Sequence, residues 1–243
     1  MKNYFRVSAL LLCGALASST PAADDAAGRP NELSAAEKAA GWKLLFDGKT
    51  LTGWRPFKKS EPPKKGWEVE ADGSLHCLAK GNGGDIITDA VYNNFDLQWE
   101  WKVPAKGNSG LKYLVSEERS QALGHEYQLI DDAGHADALR GAKWQTASFY
   151  DVLPPAESKK LKPVGEWNQS RVLIRGNHVE HWLNGAKVLE YELGSEEVLA
   201  GVASSKFKNV TNPKFGTKFP GHILLQYHGD EVWFRNIKIK QLD

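Results

Sequence analysis

Phe95-Asp96-Leu97-Gln98-Trp99-Glu100-Trp101-Lys102-Val103 alternates without a break, apolar residues at the odd positions and polar or charged ones at the even positions. Successive side chains of a β-strand point to opposite faces, so this run is a strand with one buried and one wet face. Trp99 and Trp101 fall on the buried face and are expected in the core.

The same period recurs on both sides of this stretch, at residues 42–46, 75–78, 111–115, 125–130, 171–174, 179–183, 223–228 and 232–239. Turn chemistry separates the runs: Asp47-Gly48, Asp72-Gly73, Gly107-Asn108, Gly176-Asn177, Asn184-Gly185 and Gly229-Asp230. Many short strands with tight turns and little helix predict an all-β fold, a sandwich or jelly roll. In the last run the apolar parity changes between Phe234 and Ile237, which predicts a bulge near Arg235-Asn236. Ser34-Ala35-Ala36-Glu37 is a capping box and Gly41 a stop signal, so one short helix precedes the strands.

Upstream of that helix the chain begins Met1-Lys2-Asn3-Tyr4-Phe5-Arg6, continues with an apolar run over 7–16, and ends in small residues up to Ala23. A basic start, a short apolar centre and small residues read as a secretory signal peptide, too short to span a bilayer. The expected organisation is a signal peptide over 1–22, a leader with the short helix over 23–40, and a single β-sandwich domain over 41–243. The expected location is the periplasm or the exterior. Cys13 goes with the leader, and Cys77 is left alone, so no intramolecular disulfide is available and a packed core must supply stability. Cys77 itself reads as a small buried hydrophobe.

Acidic and basic residues almost cancel, 30 against 31 in the full chain. Loss of Lys2 and Arg6 with the leader keeps the balance near neutral, which leaves no field to steer nucleic acid and no basic patch for a membrane surface. Neither a nucleic-acid partner nor membrane insertion is expected. There is no Gly-x-Ser-x-Gly elbow, no His-Glu-x-x-His and no P-loop, and His178-x-x-His181 reads as two ordinary strand histidines, so no metal site is expected. A structural calcium has no EF-hand-like loop to support it.

Chemistry is suggested instead by Gly124-His125-Glu126-Tyr127-Gln128-Leu129-Ile130-Asp131. Alternation puts Tyr127 and Leu129 on one face and Glu126 and Gln128 on the other; in 223–228 it sets Gln226 and His228 opposite Ile223, Leu225 and Tyr227. Carboxylate, amides and imidazole then share a sheet face, which Glu100 extends. The plain alternative is a solvated outer face. Nine tryptophans favour a sugar ligand, since flat rings pack against pyranose faces, and Trp182 is the candidate platform. Glu126 and Asp131 stand about 16 Å apart along an ideal strand, too far for the paired carboxylates of an ordinary glycosidase.

The chain resembles the 3-keto-disaccharide hydrolase family over about 41–242. The resemblance is carried by Leu45-Phe46-Asp47-Gly48 with Gly53-Trp54, the 95–102 strand, Gly107-Asn108-Ser109-Gly110, Glu126-Tyr127-Gln128-Leu129-Ile130-Asp131, Tyr150-Asp151-Val152-Leu153-Pro154-Pro155, Gly165-Glu166-Trp167-Asn168, His181-Trp182-Leu183-Asn184-Gly185 and Leu225-Gln226-Tyr227-His228-Gly229. Tyr227 stands where family members often carry an acid, and Ala147-Ser148-Phe149-Tyr150 replaces a Gly-Ser-Leu-Tyr-like run. The resemblance implies a concanavalin-like jelly roll acting on a glycoside already oxidised to a ketone at C3. A sugar 3-oxidoreductase would act upstream of it.

Such a ketone acidifies the C2 proton, so the reaction needs a base, donors for an enolate oxygen and an acid for the leaving oxygen, and no bound redox cofactor. On that footing His228 is expected to transfer the proton with Glu126 as partner or second acid/base. Gln128, Gln226, Asn108 and Asp131 would bind hydroxyls, and Lys143 or Arg235 would face the enolate. The competing expectations are a non-catalytic carbohydrate-binding domain and an interaction domain using the 204–220 loop.

Overall fold

The computed structural model describes Met1 and residues 29–243. The predicted signal peptide lies outside the described residues. The capping-box helix α1 forms over Ala35–Ala39, with Ser34 N–H donating to Glu37 Oε2 at 2.8 Å and Ser34 Oγ accepting from Glu37 N–H at 3.2 Å.

Thirteen strands follow: β1 Lys43–Leu44, β2 Trp54–Pro56, β3 Trp67–Val69, β4 Leu75–Cys77, β5 Ile86–Thr88, β6 Phe95–Lys102, β7 Asn108–Val115, β8 His125–Ile130, β9 Asn168–Arg175, β10 His178–Leu183, β11 Ala186–Glu192, β12 His222–Leu225 and β13 Val232–Gln241. They make two antiparallel sheets. The larger runs β11-β10-β9-β6-β13-β4-β3 with β1 beside β13, and the smaller runs β2-β5-β12-β7-β8. Strands far apart in sequence are neighbours within each sheet, as in a jelly-roll sandwich.

The decisive strand behaves as its alternation requires. Phe95, Leu97, Trp99 and Trp101 are at most 1% exposed and point between the sheets, while Asp96, Glu100 and Lys102 take the outer face of the larger sheet. Tyr113, Tyr127 and Leu129 meet them from the smaller sheet. Each buried side chain of this size contributes about 1.5–3 kcal/mol. Cys77 is completely buried in β4 and its thiol is pushed up to about 12 by burial.

The predicted bulge appears in β13, where the register against β6 shifts between Arg235 and Lys238 and Asn236 adopts φ 53°. Four strands, β2, β3, β5 and β11, and one helix carried no clear period and emerge only in the structure. The helix α2, Glu196–Ala203, is capped by Ser195 and buries just Val198 and Val202. β11 has its register broken against β10 between His181 and Trp182.

The strand predicted over 223–228 ends at Leu225, so Gln226, Tyr227 and His228 leave the sheet. The Lys- and Gly-rich 204–220 segment is anchored on the core: Phe207 and Phe215 stack at 4.2 Å between centroids and are 3% and 0% exposed.

Candidate functional site

The outer face of the smaller sheet is built row by row by its register. One row runs Arg55, Ile87, Leu224, Lys112, Glu126 across β2, β5, β12, β7 and β8. Two residues along the strands, the next row brings Asp85, Gln226, Gly110 and Gln128 together: Gly110 pairs with Gln128, and the Gln226 N–H donates to the Gly110 carbonyl at 2.9 Å. Gly110 matters here because it is bare. A Cβ there would collide with Glu126 Oε1, so the missing side chain makes room for the carboxyl itself.

Outer faces of sandwiches usually meet water, yet Lys112, Glu126 and Gln128 are 6%, 5% and 1% exposed. Loops cover them. Lys112 Nζ stands 3.9 Å from Asp85 Oδ2 and 4.0 Å from Glu126 Oε2, one ammonium between two carboxyls. Burial pushes both carboxyls up, only partly opposed by Lys112. With its nitrogen turned toward the surrounding acceptors, the Gln128 amide donates to the Ser109 carbonyl at 2.9 Å and to Glu126 Oε1 at 3.2 Å. The Gln226 Oε1 atom is buried without a partner, an acceptor available to a ligand hydroxyl.

Two covering segments complete the cluster. The turn after β8 carries His135 and Asp137, and the segment packed on β8 carries Tyr150, whose backbone N–H donates to the Glu126 carbonyl at 3.0 Å. The Tyr150 hydroxyl donates to Asp137 Oδ2 at 2.5 Å, and Lys206, from the loop after α2, lies 4.3 Å from the Tyr150 ring centroid. His228 reaches this assembly from the loop after β12. Its ring stands edge-on to His135 at 6.3 Å between centroids, and its Nδ1 is 4.0 Å from Asp230 Oδ2. Burial lowers the His228 pKa, with Asp230 acting against it and His135 and Lys112 with it. Lys112 and Asp137 influence both His228 and Glu126, which sets the two on one side of the molecule.

The structure therefore brings together Glu126, Gln128, Gln226 and His228, with Asn108 at the end of the same face, its amide 3.2 Å from that of Gln128. It does not bring the other candidates there. Glu100 and Arg235 pair at 2.7 Å, and Trp182 donates to Glu180 Oε2 at 2.7 Å; all three lie on the outer face of the larger sheet, with the core between them and Glu126. The expected extension of the polar face through Glu100 fails because β6 belongs to that other sheet.

Asp131 lies just past β8 and spends its carboxylate on backbone N–H groups of Lys106, Ala133 and Gly134 at 2.8, 3.1 and 3.0 Å, shaping the turn that delivers His135. Lys143 is engaged by Asp151 Oδ1 at 3.2 Å. Of the histidine pair, His178 meets Glu192 at 2.7 Å outside, whereas His181 is buried, its Nε2 2.8 Å from the Tyr113 hydroxyl and its Nδ1 2.9 Å from the Ala147 carbonyl, so the two cannot chelate together.

Sequence reasoning missed Lys112, Asp85, His135, Asp137, Tyr150 and Lys206. Lys112 had a signal, a lysine between Leu111 and Tyr113 in an otherwise apolar strand; the others sit on loops or at a strand end and have no period to betray them.

Two antiparallel sheets with a buried polar cluster on the outer face of the smaller one define a jelly-roll β-sandwich of the concanavalin-like class. Within that class the chain belongs to the 3-keto-alpha-glucoside-1,2-lyase-like domain family, which matches residues 41–240. It is 37% identical over 234 residues to the 3-keto-disaccharide hydrolase of Bacteroides thetaiotaomicron, covering 84% of this chain and 80% of that one. A crystal structure from Parabacteroides distasonis, provisionally assigned as a glycosyl hydrolase, is 38% identical with a TM-score of 0.75 and covers 88% of this chain and 100% of that one. A second from the same organism, with the same provisional assignment, is 28% identical with a TM-score of 0.65, covering 83% and 99%.

Proposed function

We propose that this protein cleaves 3-keto-glycosides by elimination across C1 and C2 followed by hydration. The observation that carries the reading is the buried cluster on one face, with Glu126 and Asp85 flanking Lys112 at 4.0 and 3.9 Å, the unpartnered Gln226 Oε1 beside them and His228 entering from the next loop; burial there pushes the Glu126 carboxyl up and the His228 imidazole down. These opposite directions are those that a proton-donating acid and a proton-accepting base need.

In this reading His228 removes the C2 proton, which the C3 ketone has acidified. Lys112, poised beside Glu126, faces the negative charge that develops on the C3 oxygen, the role first expected of Lys143 or Arg235. The C1–O bond breaks with the electron pair leaving on oxygen, which takes the proton of Glu126. Water then adds to the resulting enone, its hydroxyl to C1 after Glu126 has taken its proton, while the imidazolium returns a proton to C2. Atoms balance as a hydrolysis, and the sugar's oxidation level is unchanged, so no redox cofactor is called for. Gln128, Gln226 and Asn108 are assigned to the hydroxyls. The basic, apolar and small-residue order of the N-terminus supports export, and the substrate chemistry requires an upstream oxidation at C3 by a sugar oxidoreductase.

The test is incubation with a 3-keto-glucoside beside its parent glucoside, following aglycone release. Cleavage of the keto compound alone is expected; equal cleavage of both, or inertness toward both with simple binding of a glycan, refutes the proposal. Glu126→Gln should slow a poor, alcohol-type leaving group far more than a nitrophenolate, which leaves without a proton.

A further inference from the structure

A depression of about 450 Å³ opens beside the β2 edge of the smaller sheet, lined among others by Pro56, Lys59, Pro62, Lys65, Asn82 and Gly83. None of the residues assigned to the reaction lines it. It is nevertheless joined to them by one short loop. Asn82 and Gly83 form its wall, and Asp85, next but one along the chain, stands in the charged cluster beside Lys112. Tyr227, flanked by Gln226 and His228, binds both ends of that loop: its hydroxyl accepts the Asn82 N–H at 3.2 Å, and its own N–H donates to Asp85 Oδ1 at 2.9 Å.

Position and rigidity point the same way. Gly110 lies on β7, and β12 and β5 separate it from β2, so the edge is roughly 14 Å away, three spacings at about 4.8 Å per strand. A glycoside whose sugar lies beside Glu126 and whose leaving group extends along this row would reach the depression. The wall is preformed. Gly66 and Gly83 pack so closely that a Cβ on Gly83 would lie 2.8 Å from Trp67 Cδ1, and Trp67 Nε1 donates to the Gly84 carbonyl at 2.9 Å.

The chemistry of the lining narrows the occupant. Pro56, Pro62 and the lysine stems offer an apolar flank for a flat or ring-shaped group. Lys64 is neutralised by Glu61 at 2.6 Å, whereas Lys59 and Lys65 have no carboxylate within 4.0 Å among the described residues.

We propose that this depression is the leaving-group subsite and that it selects glycosides whose leaving group is a ring bearing a carboxylate. The proposal rests on the glycoside-cleaving reading above and deepens it.

The experiment compares 3-keto-glucosides of 4-hydroxybenzoate and of 4-hydroxybenzamide, which differ in charge and hardly in shape, and adds a 3-keto-disaccharide ending in a uronic acid. For the wild-type chain kcat/KM should favour the benzoate over the benzamide by roughly five-fold, the scale of two partly exposed charge pairs. In the Lys59→Met, Lys65→Met double variant that ratio should fall to about one, a readout that general damage to the fold does not move. Loss of turnover for the uronic acid disaccharide in parallel identifies a sugar acid as the natural source; its indifference identifies an aromatic acid. A wild-type ratio near one, or a preference that survives the double variant, overturns the proposal. If no 3-keto-glucoside is cleaved, the catalytic reading has failed, and the subsite is then judged by titrating free 4-hydroxybenzoate: binding lost in the double variant sustains it, and absence of binding ends it.

Discussion

Lys112 and Glu126 face each other across the β7–β8 register with ammonium and carboxylate 4.0 Å apart, 6% and 5% exposed on the outer side of a sheet. Asp85, 3.9 Å away, makes the ammonium a cation shared by two carboxyls. Removing it takes away the largest opposing charge at both carboxyls, and each pKa climbs further. A carboxyl raised in the folded state gives stability that is full below its unfolded value and fades as pH rises through its folded value. Lys112→Met is therefore expected to lower kcat/KM by about 10²–10³-fold, as for loss of one oxyanion donor, and to steepen the loss of stability above about pH 5. Steady-state kinetics and urea titrations at pH 5 and 8 check both; equal stability loss at the two pH values would contradict the arrangement.

Gly110→Ala tests the space beside Glu126. Gly110 has an ordinary strand conformation, so alanine costs the backbone nothing, but its Cβ meets Glu126 Oε1. The carboxyl must swing away. About 10²-fold lower kcat/KM is expected with the fold retained, the cost of roughly 1 Å of misplacement. Circular dichroism with kinetics separates this from unfolding, and full activity would place the reaction elsewhere.

If His228 is the base, kcat/KM must fall in acid as the imidazole takes a proton. Burial holds that pKa below the usual histidine value near 6.5, and Asp230, at 4.0 Å, holds it up. Asp230→Asn should move the acid limb to lower pH, whereas His228→Gln should abolish the limb and reduce kcat by about 10²–10⁴-fold. A limb left in place by Asp230→Asn assigns it to another group.

Two histidines inside the sandwich set its acid tolerance. His125, among Tyr113, Phe149 and Phe215, and His181, against Tyr113, are pushed down by burial to about 3 and about 4. Their neutral forms stabilise the fold above the unfolded value near 6.5, and that contribution is lost as pH falls toward the folded values. Each adds about 1.4 kcal/mol per pH unit to the slope in that window. Urea titrations between pH 7 and 4.5 should show the decline, and His125→Leu should reduce its slope by one histidine's share; an unchanged slope assigns acid sensitivity to other groups.

How much of this was legible in advance can be followed in particular residues. The alternation of 95–103 placed Trp99 and Trp101 in the core, and that of 125–130 put Glu126 and Gln128 opposite Tyr127, because side-chain direction in a strand depends only on position along it. The Ser34 capping box and the Arg235–Asn236 bulge were local too. Period failed at His228: its strand ends at Leu225, and the residue enters the site from a loop.

Residue order along the chain thus determined the longer strands, many of the turns and the buried face of those strands, consequences of neighbours two to four positions apart, and its motifs carried the resemblance to the family. Only tertiary structure decided which sheet each polar face joined. Glu100 and Trp182 alternate as regularly as Glu126 does, but β6 and β10 hydrogen-bond into the larger sheet, whereas β8 pairs with β7 in the smaller one. Pairing between distant strands, and the loops that lay Tyr150, Asp137 and His135 over the sheet, turn an ordinary polar face into a buried charged cluster, because desolvation and charge proximity arise from contacts across the whole chain.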